Sequence, residues 1–160
     1  MEKIFEKKDC LMNSAFGMCI VENVTKLVVG REQQMQYYVL RSLSDKTKKS
    51  YIPVENHETI LRLPMTEEEA KELLDKITIN GSELQIEGVL TFSMAKEWLE
   101  LGNPINWAKA TCYYFEKKEC LDSQMEEILG KIWKNLREEL AFVLKKTQDD
   151  IRQKVENGLQ

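Results

Sequence analysis

Residues with reactive side chains are sparse in this chain. The cysteines stand at Cys10, Cys19, Cys112 and Cys120 without a C-x-x-C pair, and His57 is the only imidazole. Metal sites need clustered thiolates or imidazoles, so we expect no metal and no cofactor, and we expect the cysteines to be free thiols. A lone histidine without a nucleophile motif is a poor general base, and the chain has no phosphate-binding glycine loop. We therefore expect a non-enzymatic protein without a small-molecule substrate, and we place His57 in a surface loop.

Composition indicates a folded protein. The 160 residues are 42% apolar and 31% charged, which is typical of globular chains and allows one compact domain or two small ones. No apolar run approaches the roughly 18–20 residues that span a bilayer, and the first nine residues carry charges where a secretory signal would be apolar. We expect a cytoplasmic protein that makes no membrane contact.

Residues 1–65 are rich in β-branched and aromatic runs that are separated by turn residues. Five strands are predicted there, at residues 8–12, 18–29, 36–43, 49–54 and 60–63. Gly17 falls between the first two strands, where a residue without Cβ can adopt a positive φ. Five short strands in so few residues favour a small, strongly bent β-barrel.

The third and fourth strands form a predicted hairpin around the polar residues 44–48. This turn lacks glycine and therefore suits a longer loop than a two-residue turn. Pro53 cannot donate to a β-ladder, which places it at a strand edge, a bulge or a strand end. Lys46, Lys48 and Lys49 cluster beside it. They either protect an exposed edge from aggregation or border an edge that accepts an acidic partner strand.

Residues 66–160 show helical spacing almost throughout, which puts a domain boundary near residue 65. Thr66 and Glu69 form a predicted capping box, and a helix follows until the break at residues 80–82. Residues 84–92 are ambiguous. Further helices are predicted over residues 93–101 and 104–118, with Ile105, Ala108, Cys112 and Phe115 on the inner face of the latter.

A second predicted capping box, from Ser123 to Glu126, begins a long amphipathic helix that reaches residue 144. Residues 145–160 are polar enough to fray. The predicted fold class is therefore α+β, with a five-stranded barrel over residues 1–65 and an all-helical bundle of about four to five helices over residues 66–160. We expect Trp98, Trp107 and Trp133 to lie in the core of that bundle.

Charge is distributed unevenly between the two parts. Residues 1–65 hold 10 basic and 8 acidic residues, whereas residues 66–160 hold 13 basic and 19 acidic ones. Duplex DNA is held by a local excess of lysine and arginine, and the helical part has the opposite balance. Any basic face there would be local, with Lys109, Lys117 and Lys118 as the candidate DNA-binding residues.

Three segments together resemble the CarD/CdnL family of bacterial transcription regulators. They are FEKKDCLMNSAFGMCIVENV, GREQQMQYYVLRSLSDKTKKSYIPVEN and LRLPMTEEEAKELLDKI. In order, they contain an aromatic and acidic opening, a glycine before the second strand, a Tyr-x-Val-Leu strand, an Ile-Pro-Val-x-Asn strand end and a glutamate-rich helix start. The segments SMAKEWLELGNP and QMEEILGKIWKNLREELAFVL resemble later helices of the family in outline.

The resemblance implies a Tudor-like barrel that binds the RNA polymerase β subunit by strand pairing, and a helical domain near promoter DNA. The family's basic polymerase contacts correspond here to Leu27, Val28, Val29 and Tyr51, none of which is basic. Neighbouring lysines, Lys26 and Lys49, are the substitutes that the sequence offers, together with Arg31. The family's DNA-wedging tryptophan corresponds to residues 77–89, which contain neither tryptophan nor arginine.

Two functional hypotheses follow. In the first, the chain is a CarD-type regulator that binds the RNA polymerase β subunit through a strand edge, and contact with promoter DNA is at most weak. In the second, the chain is a protein-interaction adaptor without a role in transcription. Such an adaptor could self-associate through the hairpin edge or the long C-terminal helix.

Overall fold

The computed structural model describes residues 5–29, 33–55 and 61–159. Its contacts divide the chain into two compact units, residues 1–63 and residues 64–160. The first unit is a β-sheet and the second is helical, so the fold class is α+β.

The described residues of the sheet unit form five antiparallel strands. They are β1 (Cys10–Asn13), β2 (Gly17–Val29), β3 (Gln33–Ser42), β4 (Lys49–Pro53) and β5 (Leu61–Arg62). Their order across the sheet is β4-β3-β2-β1-β5, and no described pairing joins β4 to β5. The sheet is therefore open in the part of the chain that the structure describes, and closure into a barrel stays a prediction. The strand expected at residues 60–63 is present as β5 at Leu61 and Arg62, whereas Leu63 lies beyond the strand and residue 60 lies outside the described residues.

Local sequence explains the tight turn between β1 and β2. The Asn13 side chain accepts hydrogen bonds from the backbone N–H groups of Ala15 and Phe16, at 3.1 and 2.8 Å. Gly17 then takes a φ of 83°, in the left-handed region where a residue without Cβ is unstrained. The turn residues thus connect β1 to β2 at the position where the sequence predicts the break between the first two strands.

The apolar core of the sheet unit lies on one face of the sheet. Its buried residues come from every strand and from the segment before β1: Phe5, Leu11, Cys19, Val21, Tyr38, Leu40, Ile52, Val54 and Leu61. Phe5 is anchored by its backbone N–H, which donates to the Tyr38 hydroxyl at 3.0 Å, and the two rings lie 5.8 Å apart. Phe5 therefore covers the core from outside the sheet.

Strand β2 contains a β-bulge, which interrupts the regular alternation of its side chains between the two faces of the sheet. Val21 lies opposite Leu40 and Asn23 lies opposite Val39, which leaves Glu22 as the extra residue. The bulge keeps Val21 and the partly buried Val24 against the core although they are three positions apart in the sequence. Bulges bend a strand and increase its twist, so β2 is the strand that curves the sheet.

The helical unit contains five helices among the described residues. They are α1 (Glu67–Thr78), α2 (Phe92–Leu101), α3 (Pro104–Lys117), α4 (Ser123–Leu144) and α5 (Gln148–Gly158), with 3₁₀ turns at Gly81–Leu84 and Lys118–Cys120. The Thr66 capping box is confirmed, and Gly102 ends α2 in the left-handed conformation. The ambiguous residues 85–91 form neither helix nor strand.

Two expectations for the helices are wrong, and a third is correct only for Ala108. The N-cap of α4 is Asp122, whose side chain accepts from Met125 N–H at 2.8 Å, and Ser123 is already inside the helix. Residues 148–158 form α5, because Ile151 and Val155 are completely buried despite the polar composition around them. On α3 the buried face contains Trp107, Ala108, Ala110 and Thr111, whereas Ile105 is half exposed.

Helix α4 is the centre of the helical unit, because it contacts each of the other four helices. The apolar residues along one side of this amphipathic helix are buried from Met125 to Leu140. Trp107 and Trp133 are core residues as expected, and Trp98 is half buried. Glu139 is completely buried on the same helix, where its carboxylate accepts from the backbone N–H of Met65 at 2.8 Å. This bond ties the segment before α1 to the middle of the bundle.

Candidate partner-binding edge and outer groove

Strand β4 lies at an edge of the described sheet. The backbone N–H and C=O groups of its successive residues point alternately toward β3 and away from it. Ser42 N–H donates to Lys48 C=O at 3.1 Å, and Val54 N–H donates to Gln36 C=O at 2.9 Å. In an antiparallel ladder every second residue faces the same neighbour, so the even-numbered residues of β4 pair with β3. The N–H and C=O groups of the odd-numbered residues point away from the sheet. No described strand pairs with that side.

We call the outward-facing residues Lys49, Tyr51 and Pro53 the β4 edge. Pro53 has no N–H, and its position in the outward set means that the ladder with β3 loses nothing. The edge therefore presents the N–H groups of Lys49 and Tyr51 and the C=O groups of all three residues. This pattern can pair with one extended strand over residues 49–53.

Side chains on the solvent-facing side of the sheet form a charged cluster beside the edge. Arg41 of β3 holds the Glu22 carboxylate with two hydrogen bonds, from Nε at 2.5 Å and from a terminal nitrogen at 3.1 Å. Lys49 Nζ lies 3.8 Å from the same carboxylate and 5.7 Å from the centre of the Tyr51 ring. Tyr51 is 51% exposed. The cluster therefore fixes Lys49 next to an accessible aromatic ring.

The paired guanidinium changes the titration of the carboxylate. The hydrogen bond from Arg41 lowers the pKa of Glu22 below its ordinary value, and Lys49 adds to that effect. The same bond raises the pKa of Arg41. Both groups are therefore charged at neutral pH, and Glu22 is already neutralised by its own neighbours.

A concave surface of about 720 Å³ extends from the β4 edge across the same face of the sheet. We call it the outer groove. It is lined by Lys7, Lys8, Ile20, Val21, Glu22, Asn23, Thr25, Val39, Lys49 and Tyr51. Lysines stand at both ends of it, and the buried Val39 contributes to its floor. An anionic ligand with an apolar portion is the chemistry that this lining fits.

The predicted polymerase contacts lie in two places. Lys49 and Tyr51 meet at the β4 edge. Lys26 is farther along β2, opposite Gln36, where it lines a separate hollow of about 280 Å³ with Met35, Gln36 and Glu55. Leu27, Val28 and Val29 continue β2 in pairing with the first residues of β3, beyond the segment that β4 covers. Arg31 and His57 lie outside the described residues.

The candidate DNA-binding lysines are spread around α3. Lys109 is half buried, whereas Lys117 and Lys118 are exposed. At about 100° per residue, Lys109 and Lys118 project from opposite sides of the helix. Lys117 Nζ lies 3.8 Å from a Glu116 carboxylate oxygen, and Lys118 Nζ lies 6.0 Å from the Phe115 ring. The three lysines do not form one continuous basic stripe.

Sequence reasoning missed the residues that build the outer groove. The spacing Val21-Glu22-Asn23-Val24 breaks the two-residue period of a strand, and that break was the available signal for a bulge. Lys7 and Lys8 belong to a turn in which Asp9 accepts from Glu6 N–H at 2.8 Å. Nothing in the sequence pattern connects this turn to β4.

No group of three or more histidine, cysteine, aspartate or glutamate side chains in the described ranges is arranged to hold a metal ion. Burial raises the pKa of the Cys112 thiol to about 11, with a smaller contribution from Glu116, so this thiol is protonated and unreactive at neutral pH. Among the described helices, none has the length and apolarity to cross a membrane.

The fold and the site define an α+β protein whose sheet unit has a lysine-bordered strand edge that no described strand covers, and whose helical unit is built around α4. No family model matches the sequence, and no curated protein matches it.

Proposed function

We propose that this chain is a non-enzymatic protein-interaction module that accepts a partner strand along the β4 edge. The observation that carries the proposal is the side of β4 that no described strand pairs with, where Lys49 and Tyr51 present backbone donors and Pro53 ends the donor series. Strand addition gains affinity from main-chain hydrogen bonds, and flanking charges select the partner. The exposed Lys46, Lys48 and Lys49 favour an acidic strand.

We further propose that the partner is the RNA polymerase β subunit and that the role is in bacterial transcription regulation. The support is the ordered resemblance of three segments to the CarD/CdnL family. Two observations agree with it: the Ile-Pro-Val strand end is at an edge that no described strand covers, and the bulge at Glu22 gives β2 the bend that a Tudor-like barrel requires.

The helical unit has a secondary role in this proposal. Its excess of acidic residues and the separation of Lys109 from Lys118 support a protein-contacting unit that lies near promoter DNA and binds it weakly. The three tryptophans belong to helices of the bundle, and Trp107 and Trp133 are buried, so none supports a wedge between bases.

The test compares two substitutions at one residue of the full chain. Tyr51→Ala removes the side chain, whereas Tyr51→Pro also removes an N–H that points away from β3 and that no described residue uses. Binding to a purified RNA polymerase β-subunit fragment is measured by calorimetry. Losing one hydrogen bond and leaving its partner carbonyl unsatisfied costs about 1–3 kcal/mol, so Tyr51→Pro should bind about tenfold or more weakly than Tyr51→Ala.

A second pair of variants controls for the possibility that Tyr51→Pro misfolds. Lys49→Pro and Lys49→Ala repeat the comparison at the first residue of β4, where proline is tolerated best. Amide NMR spectra establish that the sheet is intact in each variant. Equal affinity of the proline and alanine variants at both positions, with intact sheets, would exclude strand pairing at this edge.

Self-association is the second candidate, and the edge itself favours it. In an antiparallel pair of β4 strands centred on Tyr51, the two Tyr51 residues exchange N–H and C=O bonds. The Lys49 N–H of each copy then donates to the Pro53 carbonyl of the other copy. Because Pro53 has no N–H, each copy loses only one inter-strand hydrogen bond. Light scattering over a range of concentrations tests this. A mass that rises toward that of a dimer for the natural chain but not for Tyr51→Pro would support it.

A further inference from the structure

We propose that the outer groove is a second docking site for the same partner and that it binds an acidic segment separate from the strand on the β4 edge. This inference deepens the proposed function and rests on it. It assigns a role to Lys7, Lys8, Asn23 and Thr25, which the strand-pairing proposal does not use.

Distance separates the two sites. Lys8 N–H donates to Val21 C=O at 2.7 Å, and Val21 N–H donates to Asp9 C=O at 2.9 Å, so the segment of Lys7 and Lys8 runs along the side of β2 that faces away from β3. Neighbouring strands lie about 4.8 Å apart, which places this segment roughly four strand spacings, about 19 Å, from a strand added to β4. No acidic side chain of the added strand spans that distance. A partner that contacts Lys7 and Lys8 must lay a second segment across the face of the sheet.

The charge of the lining selects the chemistry of that segment. The described lining of the outer groove contains three lysines and one carboxylate, Glu22, which is held by Arg41 and Lys49. The turn that presents Lys7 and Lys8 is held by two hydrogen bonds between Glu6 and Asp9, and one of them uses the Asp9 carboxylate. The lining therefore has a positive balance that an acidic segment complements.

The groove floor favours a peptide over a nucleic acid. Ile20 and Val39 supply apolar surface, and Asn23 and Thr25 supply polar groups at its centre. Proteins that bind single strands use several aromatic side chains on which successive bases stack. The described lining contains one aromatic residue, Tyr51, which already lies beside the edge.

The experiment uses the full chain and two charge-reversal pairs. Lys7→Glu with Lys8→Glu changes the groove, and Lys46→Glu with Lys48→Glu makes the same change of charge in the hairpin turn, outside the groove lining. An acetylated hexaglutamate peptide is titrated against each protein and followed by amide NMR. We expect peptide-induced shifts at Lys7, Lys8, Asn23 and Thr25. The groove pair should weaken binding roughly tenfold, and the turn pair less than about threefold.

Three outcomes would overturn the inference: equal weakening by the two pairs, shifts confined to residues 45–49, or tighter binding of hexathymidylate than of hexaglutamate at the same salt concentration. If the groove pair misfolds, Lys7→Gln with Lys8→Gln replaces it. Failure of the proposed strand function is recognised separately. In that case the β-subunit fragment does not distinguish Tyr51→Pro from Tyr51→Ala, whereas hexaglutamate still shifts the groove amides.

Discussion

Glu139 is a buried carboxyl group whose removal we expect to weaken the helical unit. Its side chain is completely buried, and its carboxylate accepts the Met65 N–H at 2.8 Å, one residue before the N-cap of α1. A hydrogen bond to a charged group contributes about 1.5–3 kcal/mol, and the buried methylene adds about 0.8 kcal/mol. A carboxylate near a helix N-terminus also interacts favourably with the helix dipole. We expect Glu139→Ala to lower the free energy of unfolding by about 3 kcal/mol.

Glu139→Gln separates the charge from the hydrogen bond. The amide oxygen can still accept from Met65, so we expect a smaller loss of about 1–2 kcal/mol. Glu127→Ala is the matched control, because Glu127 is on the same helix with a side chain that is 74% exposed and its ion pair with Lys131 is a surface pair. Its effect should stay within about 0.5 kcal/mol.

Urea unfolding followed by tryptophan fluorescence measures these differences in the right unit, because all three tryptophans lie within residues 64–160. With a slope of about 1.5 kcal/mol per molar urea, Glu139→Ala should shift the midpoint by about 2 M. A midpoint for Glu139→Ala that coincides with that of Glu127→Ala would refute the reasoning, because Met65 would then be held by the surrounding apolar packing alone.

Two further predictions use the same unfolding assay. A Cβ on Gly158 would lie 2.7 Å from the Thr78 Cα, so Gly158→Ala must displace α5 from α1 and should cost about 1–3 kcal/mol. Gly130→Ala is the control, because a Cβ at this position of α4 would meet no atom within 4 Å, and it should raise the free energy of unfolding by about 0.5–1 kcal/mol. A change of the same sign for both variants would contradict the close packing of Gly158 against Thr78. Asp122→Ala should lower the free energy of unfolding by about 1 kcal/mol because Asp122 is the N-cap of α4, whereas Ser123→Ala should change it by a few tenths of a kcal/mol. The reverse order would restore Ser123 as the cap.

Local sequence was sufficient wherever neighbouring residues decide the conformation. Gly17 and Gly102 adopt positive φ where the pattern ended a strand or a helix, and Thr66 caps α1 through its own hydroxyl. The predicted N-cap of α4 was wrong, because Asp122 and Ser123 are adjacent and aspartate and serine are both good caps. The choice between them depends on where α4 begins, which its packing in the bundle determines.

Tertiary packing decided the elements whose local composition is ambiguous. Residues 148–158 read as a fraying tail because only Ile151 and Val155 are apolar among many charges. They form α5 because both side chains are completely buried and Gly158 allows contact with Thr78. Isolated helices of this length are marginal in water, so packing supplies the stability that composition does not indicate.

The sequence by itself determined the strands and most helix boundaries, because these depend on residues a few positions apart. It also predicted that Pro53, which has no N–H, lies at a position where the β-ladder needs no donor. Only the tertiary structure decided that Arg41 neutralises Glu22, that Tyr51 stays exposed, and that Lys7 and Lys8 line the same groove as Lys49. These relations join residues 19 to 42 positions apart, and strand order and the bulge in β2 bring them together. Periodicity reports which face a residue occupies, whereas the register between strands sets which residues share a site.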